Sequence, residues 1–238
     1  MFYEISFEGK TYLKSDFFDG LVFTTRNSAI KLDNESLELE NRLALQKIFG
    51  CKNFVAPIQT HSANIGIASV NSAVLPDTDA VILTIPNVIV TLNFADCTPI
   101  ILYDREKNIV AGIHAGWRGT AQEIATKTAK KMVEKFGCTP RNIMAVIGTC
   151  ISYESFEVSR EVIDAIIPTV VSPEKVYHKK ENEKYMLDLK EVNRQQLAKI
   201  GIENFDISPY CTILNNDKFF SYRKEKTSCR HNFALCLN

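Results

Sequence analysis

The sequence predicts an α+β fold in which mixed, largely antiparallel β-sheets are flanked by helices. Three observations support it. Short runs rich in valine and isoleucine cluster in the middle of the chain, strand-like runs outnumber helical ones, and the two kinds do not alternate strictly. The loop "YDREKN" separates two such runs and predicts an antiparallel hairpin. The 238 residues contain no repeat and no linker-like stretch, so we expect a single domain over residues 1–238.

The first half of the chain predicts strands around one helix. "YEISF" alternates in polarity, "GLVFTTR" is rich in strand formers, and residues 35–49 have helical character that ends at Gly50. Six further strands are predicted, several of them apolar on both faces and therefore buried on both sides. They are "FVAPIQT", "NIGIAS", "AVILTI", "VIVTLNF", "PIILYD" and "NIVAGIHA".

The second half predicts three helices. Thr120 and Glu123 match a capping box ahead of an apolar stripe at helical spacing that ends at Gly137. Asp188 and Glu191 match a second capping box, and "SFEVSREVIDAII" predicts a helix stopped by a proline. "NIMAVIG", "FFSYRK" and "FALCLN" are interpreted as strands.

Composition narrows the class of protein. The 28 basic and 28 acidic residues balance, which argues against nucleic-acid or membrane partners. We see no signal sequence and no apolar run long enough to span a bilayer. Seven cysteines, with no C-x-x-C pair, argue against a disulfide framework. We therefore expect a cytoplasmic protein, and the oligomeric state stays open.

Three candidate metal ligands follow predicted strands. His61 comes after "FVAPIQT", Cys97 after "VIVTLNFAD", and His114 lies at the end of "NIVAGIH". Imidazole and thiolate are preferred zinc donors, and three protein ligands leave one position open for catalysis. Bound zinc can lower the pKa of water to about 7. The same donors also suit copper, so the residues do not fix the metal.

Two other interpretations of these residues stay open. Each of the three side chains could be an ordinary core or turn residue, because their spacing forms no local motif. Alternatively, Cys97 and His114 could form a nucleophile pair as in cysteine hydrolases.

The segment "GIHAGWRGT" adds candidate substrate contacts. If a helix starts at Thr120, the preceding turn offers free N–H groups, and Arg118 in that turn could bind phosphate or carboxylate. The tryptophan next to Arg118 could stack on a planar ligand or fill the core. Asp96 is the acidic residue next to Cys97 and a candidate proton carrier, and Gln59 could contact substrate or orient a metal ligand.

The motifs "QTHSANI", "DTDAVIL", "NFADCTPIILYD", "GIHAGWRGT" and "FFSYRKEKTSCR" together resemble the YfiH-like family. This family is also called the multicopper polyphenol oxidase or laccase-domain family, and peptidoglycan editing factor. The resemblance runs from about residue 20 onward and implies a fold shared with bacterial toxin deamidases. It implies metal binding by His61, Cys97 and His114, with zinc as the usual metal.

The resemblance also implies an activity. Family members are assigned phosphorolysis of adenosine, inosine and methylthioadenosine, and hydrolytic deamination of adenosine. Arg118, Arg26 and Arg223 are then candidate phosphate ligands. This chain departs from the family pattern at Asn27–Lys31 and at Thr149–Tyr153, which are expected to alter the substrate-facing loops. The rival functions are an amidase that edits a cell-wall precursor, a copper-dependent phenol oxidase, and a non-catalytic metal-binding module.

Overall fold

The computed structural model describes residues 1–69 and 74–237. Within them, seventeen strands and six α-helices are present. The strands are β1 (Phe2–Phe7), β2 (Lys10–Ser15), β3 (Leu21–Thr24), β4 (Ile30–Lys31), β5 (Asn53–Pro57), β6 (Ile65–Ile67), β7 (Val74–Leu75), β8 (Ala80–Leu83), β9 (Val88–Phe94), β10 (Thr98–Asp104), β11 (Ile109–Ala115), β12 (Ile143–Ile147), β13 (Glu157–Val158), β14 (Tyr177–Lys179), β15 (Tyr185–Leu187), β16 (Asn204–Ile207) and β17 (Cys229–Cys236). The helices are α1 (Glu35–Phe49), α2 (Trp117–Ala121), α3 (Ile124–Phe136), α4 (Arg160–Ile166), α5 (Leu189–Ala198) and α6 (Tyr222–Glu225).

The described strands form three sheets. An eight-stranded sheet has the order β1-β2-β3-β17-β9-β5-β7, with β4 also paired to β17. A six-stranded sheet has the order β16-β12-β10-β11-β8-β6, and a three-stranded sheet the order β13-β15-β14. Only the pairs β5–β7, β5–β9, β6–β8 and β12–β16 are parallel among the pairs in the described chain. The predicted α+β class with largely antiparallel sheets is therefore confirmed.

The two larger sheets pack face to face. Leu92 and Phe233 of the eight-stranded sheet share one core with Val81 and Ile101 of the six-stranded sheet. The sheets approach so closely at Gly112 of β11 that a Cβ there would lie 2.6 Å from the Phe233 ring.

Helices cover the outer faces of both sheets. The opposite face of the six-stranded sheet packs on α3 through residues such as Ile124 and Met132. Leu45 of α1 packs on the outer face of the eight-stranded sheet. The central strands β8, β10, β11 and β12 of this sheet are thus buried on both sides, which explains why they are apolar at nearly every position.

The predicted elements are confirmed for the hairpin and for most strands. Helix α1 ends at Gly50, which is left-handed with φ of 64°. Strands β10 and β11 pair antiparallel around the predicted loop. Helix α5 begins at Asp188, whose carboxylate accepts the N–H groups of Lys190 and Glu191. The last predicted strand is β17, and its predicted final residue, Asn238, lies outside the described residues.

The capping box predicted at Thr120 and Glu123 is wrong. Helix α2 begins three residues earlier, with Gly116 as its N-cap, so Thr120 lies inside the helix. The Thr120 hydroxyl is fully buried and accepts a hydrogen bond from Asn193 of α5. Glu123 instead adopts a left-handed conformation at the kink between α2 and α3.

Two further sequence predictions need correction. "FFSYRK" is not a strand: its last three residues belong to the short helix α6, because the Ser221 hydroxyl accepts the N–H of Lys224 and caps a helical turn. The predicted helix "SFEVSREVIDAII" is confined to Arg160–Ile166, and its first part forms β13. Among the described residues, none of the helices combines the length and apolar character needed to cross a bilayer.

Candidate metal centre

The three predicted metal ligands come together in the structure. The candidate donor atoms of His61, Cys97 and His114 all lie within 4.8 Å of one another. The β10–β11 hairpin accounts for two of them: Thr98 pairs with Ala115, so Cys97, one residue earlier, lies beside Gly116 and close to His114. His61 follows β5 in a left-handed conformation with φ of 62°. Its loop crosses over the hairpin and brings the second imidazole into contact with His114, with ring centroids 4.8 Å apart.

Asp79 organises both histidines. Its fully buried carboxylate lies 2.8 Å from Nδ1 of His114. The same carboxylate accepts the backbone N–H groups of Thr60, His61 and Ser62 at 3.1, 3.1 and 2.7 Å, and the Ser62 hydroxyl at 2.8 Å. One carboxylate therefore fixes the His61 loop and the orientation of His114. Since Nδ1 of His114 is engaged, its Nε2 is left for a metal ion.

The ionisation of the three side chains suits a cation. Burial disfavours the Cys97 thiolate, but the adjacent imidazoles of His114 and His61 outweigh burial and lower the pKa of Cys97 to about 6. Burial also opposes protonation of His114, yet the Cys97 thiolate and Asp79 raise its pKa to about 9. Burial acts against ionisation of Asp79 too, but its hydrogen bonds from His114, Ser62 and Thr60 hold its pKa below its usual range. Without a metal, the pair is thus a thiolate beside an imidazolium.

The space between the ligands fits an ion. Gly116 adjoins the cluster, and a Cβ there would lie 3.0 Å from Sγ of Cys97 and 3.1 Å from the His61 ring. A side chain at this position would therefore crowd the donors. Two imidazoles and one thiolate form the donor set of a three-ligand zinc site with an open position, and a carboxylate behind His114 is the usual partner of such a ligand.

The cluster opens into a cavity of about 720 Å³. Aromatic rings from three elements line it: Trp117 of α2, Phe156 next to β13, and Tyr222 of α6. Four cationic side chains line it as well: Arg118, Arg223, Lys226 and Arg230. The arrangement can bind a flat, partly apolar ligand together with an anion close to the metal ligands.

Two predicted substrate contacts, Arg118 and Gln59, lie in this cavity. The guanidinium of Arg118 stacks 4.3 Å from the Trp117 ring, in the first turn of α2 rather than in a turn before a helix. Gln59 forms two hydrogen bonds with the backbone of Asn93 in β9: its side-chain amide accepts the N–H at 2.7 Å and donates to the carbonyl at 2.9 Å.

Asp96 and Arg223 are brought together. One Asp96 oxygen accepts the Thr212 hydroxyl at 2.5 Å, and the other accepts the backbone N–H of Arg223 at 2.7 Å. The Arg223 guanidinium donates to the Glu157 carbonyl at 3.0 Å. Asp96 thus ties the Cys97 loop to α6, and its role as a proton carrier stays a prediction.

The structure does not bring Arg26 into the cavity. Its guanidinium forms an ion pair with Glu225 at 2.8 Å, donates to the Phe219 carbonyl, and stacks on Phe220 at 3.9 Å. Arg26 therefore braces the loop before α6 instead of lining the wall, and the prediction that it contacts phosphate is not supported.

Sequence reasoning missed four residues of the site. Asp79, in "DTDAVIL", directly precedes the apolar strand β8, but its burial could not be read from the sequence. Lys226 and Arg230 lie near Arg223 in a stretch whose basic spacing was visible, but its helical turn was not predicted. Tyr222 was missed as well, because it lies in the same helical turn.

The two remaining histidines have no part in the cluster. His231 is buried, and burial lowers its pKa to about 4, while its Nε2 accepts the N–H of Phe220. His178 is exposed and hydrogen-bonds to Tyr153.

Comparison with known proteins agrees with the geometry. The model of the family described as "Multi-copper polyphenol oxidoreductase laccase" matches residues 21–237. The chain belongs to this family. YfiH of Bacillus licheniformis superposes with a TM-score of 0.87 at 28% identity, over 94% of this chain and 96% of that one. YlmD of Geobacillus stearothermophilus gives a TM-score of 0.89 at 25% identity over 98% of both chains. The YfiH-like resemblance read from the motifs is therefore confirmed.

Curated relatives are named as enzymes. A protein of Bacteroides thetaiotaomicron named purine nucleoside phosphorylase is 34% identical over 73% of this chain and 68% of its own length. Purine nucleoside phosphorylase YlmD of Bacillus subtilis is 37% identical over 64% of this chain and 55% of its own. Adenosine deaminase RL5, from an unknown prokaryote, is 31% identical over 79% and 76%. This chain is thus an enzyme of the YfiH type.

Proposed function

We propose that this chain is a zinc-dependent enzyme acting on purine nucleosides. It cleaves adenosine, inosine and methylthioadenosine with phosphate, and it deaminates adenosine by hydrolysis. The observation that carries the proposal is the position of His61, Cys97 and His114 in a cavity that also offers aromatic rings and unpaired cations. The names of the relatives point to the same substrates.

The donor set favours zinc bound by His61, Cys97 and His114. When bound, zinc supplies a Lewis acid and a water of lowered pKa. Asp79 keeps Nδ1 of His114 protonated, so that Nε2 faces the ion. The Cys97 side chain is held as a thiolate by the two imidazoles.

The cavity walls bind the substrates. Arg118 and Arg223 line the same cavity as the candidate metal ligands and supply the charge that holds inorganic phosphate. Trp117 and Phe156 offer faces for the purine. In phosphorolysis, a phosphate oxygen bonds to C1′, the bond from C1′ to N9 breaks, and the base leaves with a proton. In deamination, water adds at C6 and ammonia leaves.

The test is incubation of the purified protein with adenosine and phosphate, followed by chromatography of adenine, inosine and hypoxanthine. We expect all these products to depend on Cys97, and about one zinc per chain by metal analysis. Cys97→Ala should lose zinc and activity yet stay folded. Cys229→Ala, at a partly exposed cysteine outside the cluster, is the matched control and should keep both. Full turnover by Cys97→Ala would contradict the proposal.

One observation favours a second candidate, an amidase that edits a cell-wall precursor. Cys97, His114 and Asp79 also form a nucleophile–base–acid series, with His114 hydrogen-bonded to Asp79 and its raised pKa linked to the Cys97 thiolate. Such an enzyme would release an amino acid from a wrongly built precursor after zinc had been stripped. Amino-acid release by the chelated protein, with no product from adenosine, would favour this candidate.

A copper-dependent phenol oxidase fits the residues less well, despite the description of the family. The described residues contain one three-residue ligand cluster, and the chain has four histidines. Phenol oxidation by laccases uses several coppers and correspondingly more histidine ligands. Several coppers per chain would bring this function back.

A further inference from the structure

The charge of the cavity exceeds what one phosphate needs. Four cationic side chains line it, and the only carboxylate among its described lining residues is Asp96. None of these four cations forms an ion pair with any residue that the structure describes. Both oxygens of Asp96 are already engaged by neutral donors. The cavity therefore holds a concentrated positive field that attracts anions.

The four cations form two pairs that differ in the residues beside them, and they are called the inner and the outer pair here. Arg118 and Arg223 are the inner pair. Arg118 is two residues after Gly116, which lies against Cys97 and His61. The backbone of Arg223 is held by Asp96, the residue before Cys97. Both are thus tied to the metal ligands, which is where the phosphate of the proposed reaction must lie.

Lys226 and Arg230 are the outer pair. They lie 5.0 and 5.4 Å from the ring centroid of Tyr222, whose side chain is 49% exposed at the cavity wall. Arg230 donates from one nitrogen to the carbonyls of Thr227 and Cys229, which fixes its guanidinium and leaves other N–H groups free. The Lys226 ammonium has no hydrogen-bond partner among the described residues.

We propose that Lys226, Arg230 and Tyr222 form a second anion subsite, and that the enzyme accepts purine nucleoside 5′-phosphates as well as nucleosides. This inference rests on the proposed function for the inner part of the cavity. A nucleoside is uncharged and leaves the outer pair unused. A 5′-phosphate carries a charge of about −2 and can satisfy an ammonium and a guanidinium together. A cavity of about 720 Å³ lies within the usual range for sites that hold ligands of this size.

The binding experiment uses a probe inside the cavity. Trp117 is the only tryptophan of the chain and lines the site, so its fluorescence reports occupancy directly and is read on mixing, before adenosine is turned over. The zinc-loaded protein is titrated with adenosine and with adenosine 5′-monophosphate. We expect the monophosphate to bind at least about tenfold more tightly. Equal affinities would overturn the proposal.

Matched variants assign the effect to the outer pair. Lys226→Asn with Arg230→Gln should abolish the advantage of the monophosphate, measured as the ratio of its affinity to that of adenosine in the same variant. Lys127→Gln with Lys130→Gln removes the same charge from an exposed face of α3 and should keep the advantage. Because Arg230→Gln also removes two hydrogen bonds, Lys226→Asn is measured alone. Asparagine tolerates the left-handed conformation of Lys226, so this single variant should fold and lose part of the advantage.

Inorganic phosphate separates the two subsites. When saturating phosphate fills the inner pair, the advantage of the monophosphate over adenosine should persist. Loss of the advantage would mean that both phosphates occupy the same subsite, and would overturn the proposal. Turnover of adenosine with no preference for the monophosphate refutes the outer subsite alone. A preference that depends on Lys226, in a protein that turns over no nucleoside, refutes the proposed function alone.

Discussion

Replacing Asp79 by asparagine should disable the proposed metal centre without changing any of its three candidate ligands. Oδ2 of Asp79 accepts from the backbone of Thr60 and Ser62 and from the Ser62 hydroxyl, and Oδ1 accepts from the backbone of His61 and from His114. The side-chain oxygen of asparagine can still accept the hydrogen bonds from Thr60 and Ser62. Its NH₂ then faces two donors, the His61 N–H and the His114 Nδ1–H. To relieve the clash, His114 must accept at Nδ1 and carry its proton on Nε2, which faces the metal position.

The size of the effect follows from these contacts. Two hydrogen bonds to a buried charge are lost, and at about 1.5–3 kcal/mol each they amount to about 3–6 kcal/mol of unfolding free energy. Removing one partner of a buried ion pair costs about 3–5 kcal/mol, which lies in the same range. Loss of a hydrogen-bond partner that orients a metal-binding histidine weakens metal binding by about 10- to 100-fold, and we expect the zinc affinity of Asp79→Asn to fall by this factor.

The assay compares Asp79→Asn with Asp77→Asn, which changes the same residue type in the same loop but at an exposed position. Zinc affinity is measured by competition with a chelator, and stability by urea unfolding of the metal-free proteins. We expect Asp77→Asn to resemble the wild type in both. If Asp79→Asn binds zinc within threefold of the wild type, the tautomer argument is refuted.

Acid unfolding gives a second readout for the same carboxyl group. Folding lowers the pKa of Asp79 below its ordinary value of 3.8, so the stabilisation from Asp79 is complete above that value and is lost as the pH falls further. The metal-free wild type should therefore lose stability on acidification below about pH 4, and Asp79→Asn should show a shallower loss. Parallel curves for the two proteins would contradict this assignment.

Three further outcomes are expected. Gly116→Ala should weaken zinc binding while the fold persists, because the new methyl group would lie 3.0 Å from Sγ of Cys97 and 3.1 Å from His61. Zinc affinity is measured by competition and the fold by circular dichroism. Unchanged zinc affinity would contradict this prediction. In the metal-free protein, alkylation of Cys97 by iodoacetamide should rise with a midpoint near pH 6, as followed by mass spectrometry, and a midpoint near 9 would refute the thiolate assignment. Asp96→Asn should raise the KM for phosphate more than it lowers kcat, because it disturbs the backbone of Arg223; a loss of kcat alone, with a changed pH profile, would instead support Asp96 as the proton carrier.

The three candidate metal ligands could be picked out one by one, although their spacing forms no local motif. His61, Cys97 and His114 each follow a recognisable apolar strand, and residues at strand ends are candidates for a shared site. Asp79 could not be found in the same way. Its importance comes from three hydrogen-bonding neighbours in the loop after β5 and a fourth, His114, on β11, and a lone acidic residue has no periodicity.

The errors have physical causes as well. Thr120 has the residue type of an N-cap, but Gly116 leaves β11 with a geometry that starts the helix at once, and Asn193 of α5 takes the hydroxyl. Arg26 has the expected charge, yet its ion pair with Glu225 directs the guanidinium away from the cavity. In each instance a tertiary contact overrides a sound local pattern.

Strand β17 pairs with β3 on one side and β9 on the other, and therefore lies in the interior of the eight-stranded sheet. During synthesis on the ribosome, some two hundred residues are added after β3 before β17 is made. Only then can β17 join β1–β3 to β9. Until then the edges of β3 and β9 stay open to pairing with other chains, so slow closure and a need for chaperones at high expression are expected. Because Arg230 belongs to β17, the same late step that closes the sheet also completes the wall of the cavity.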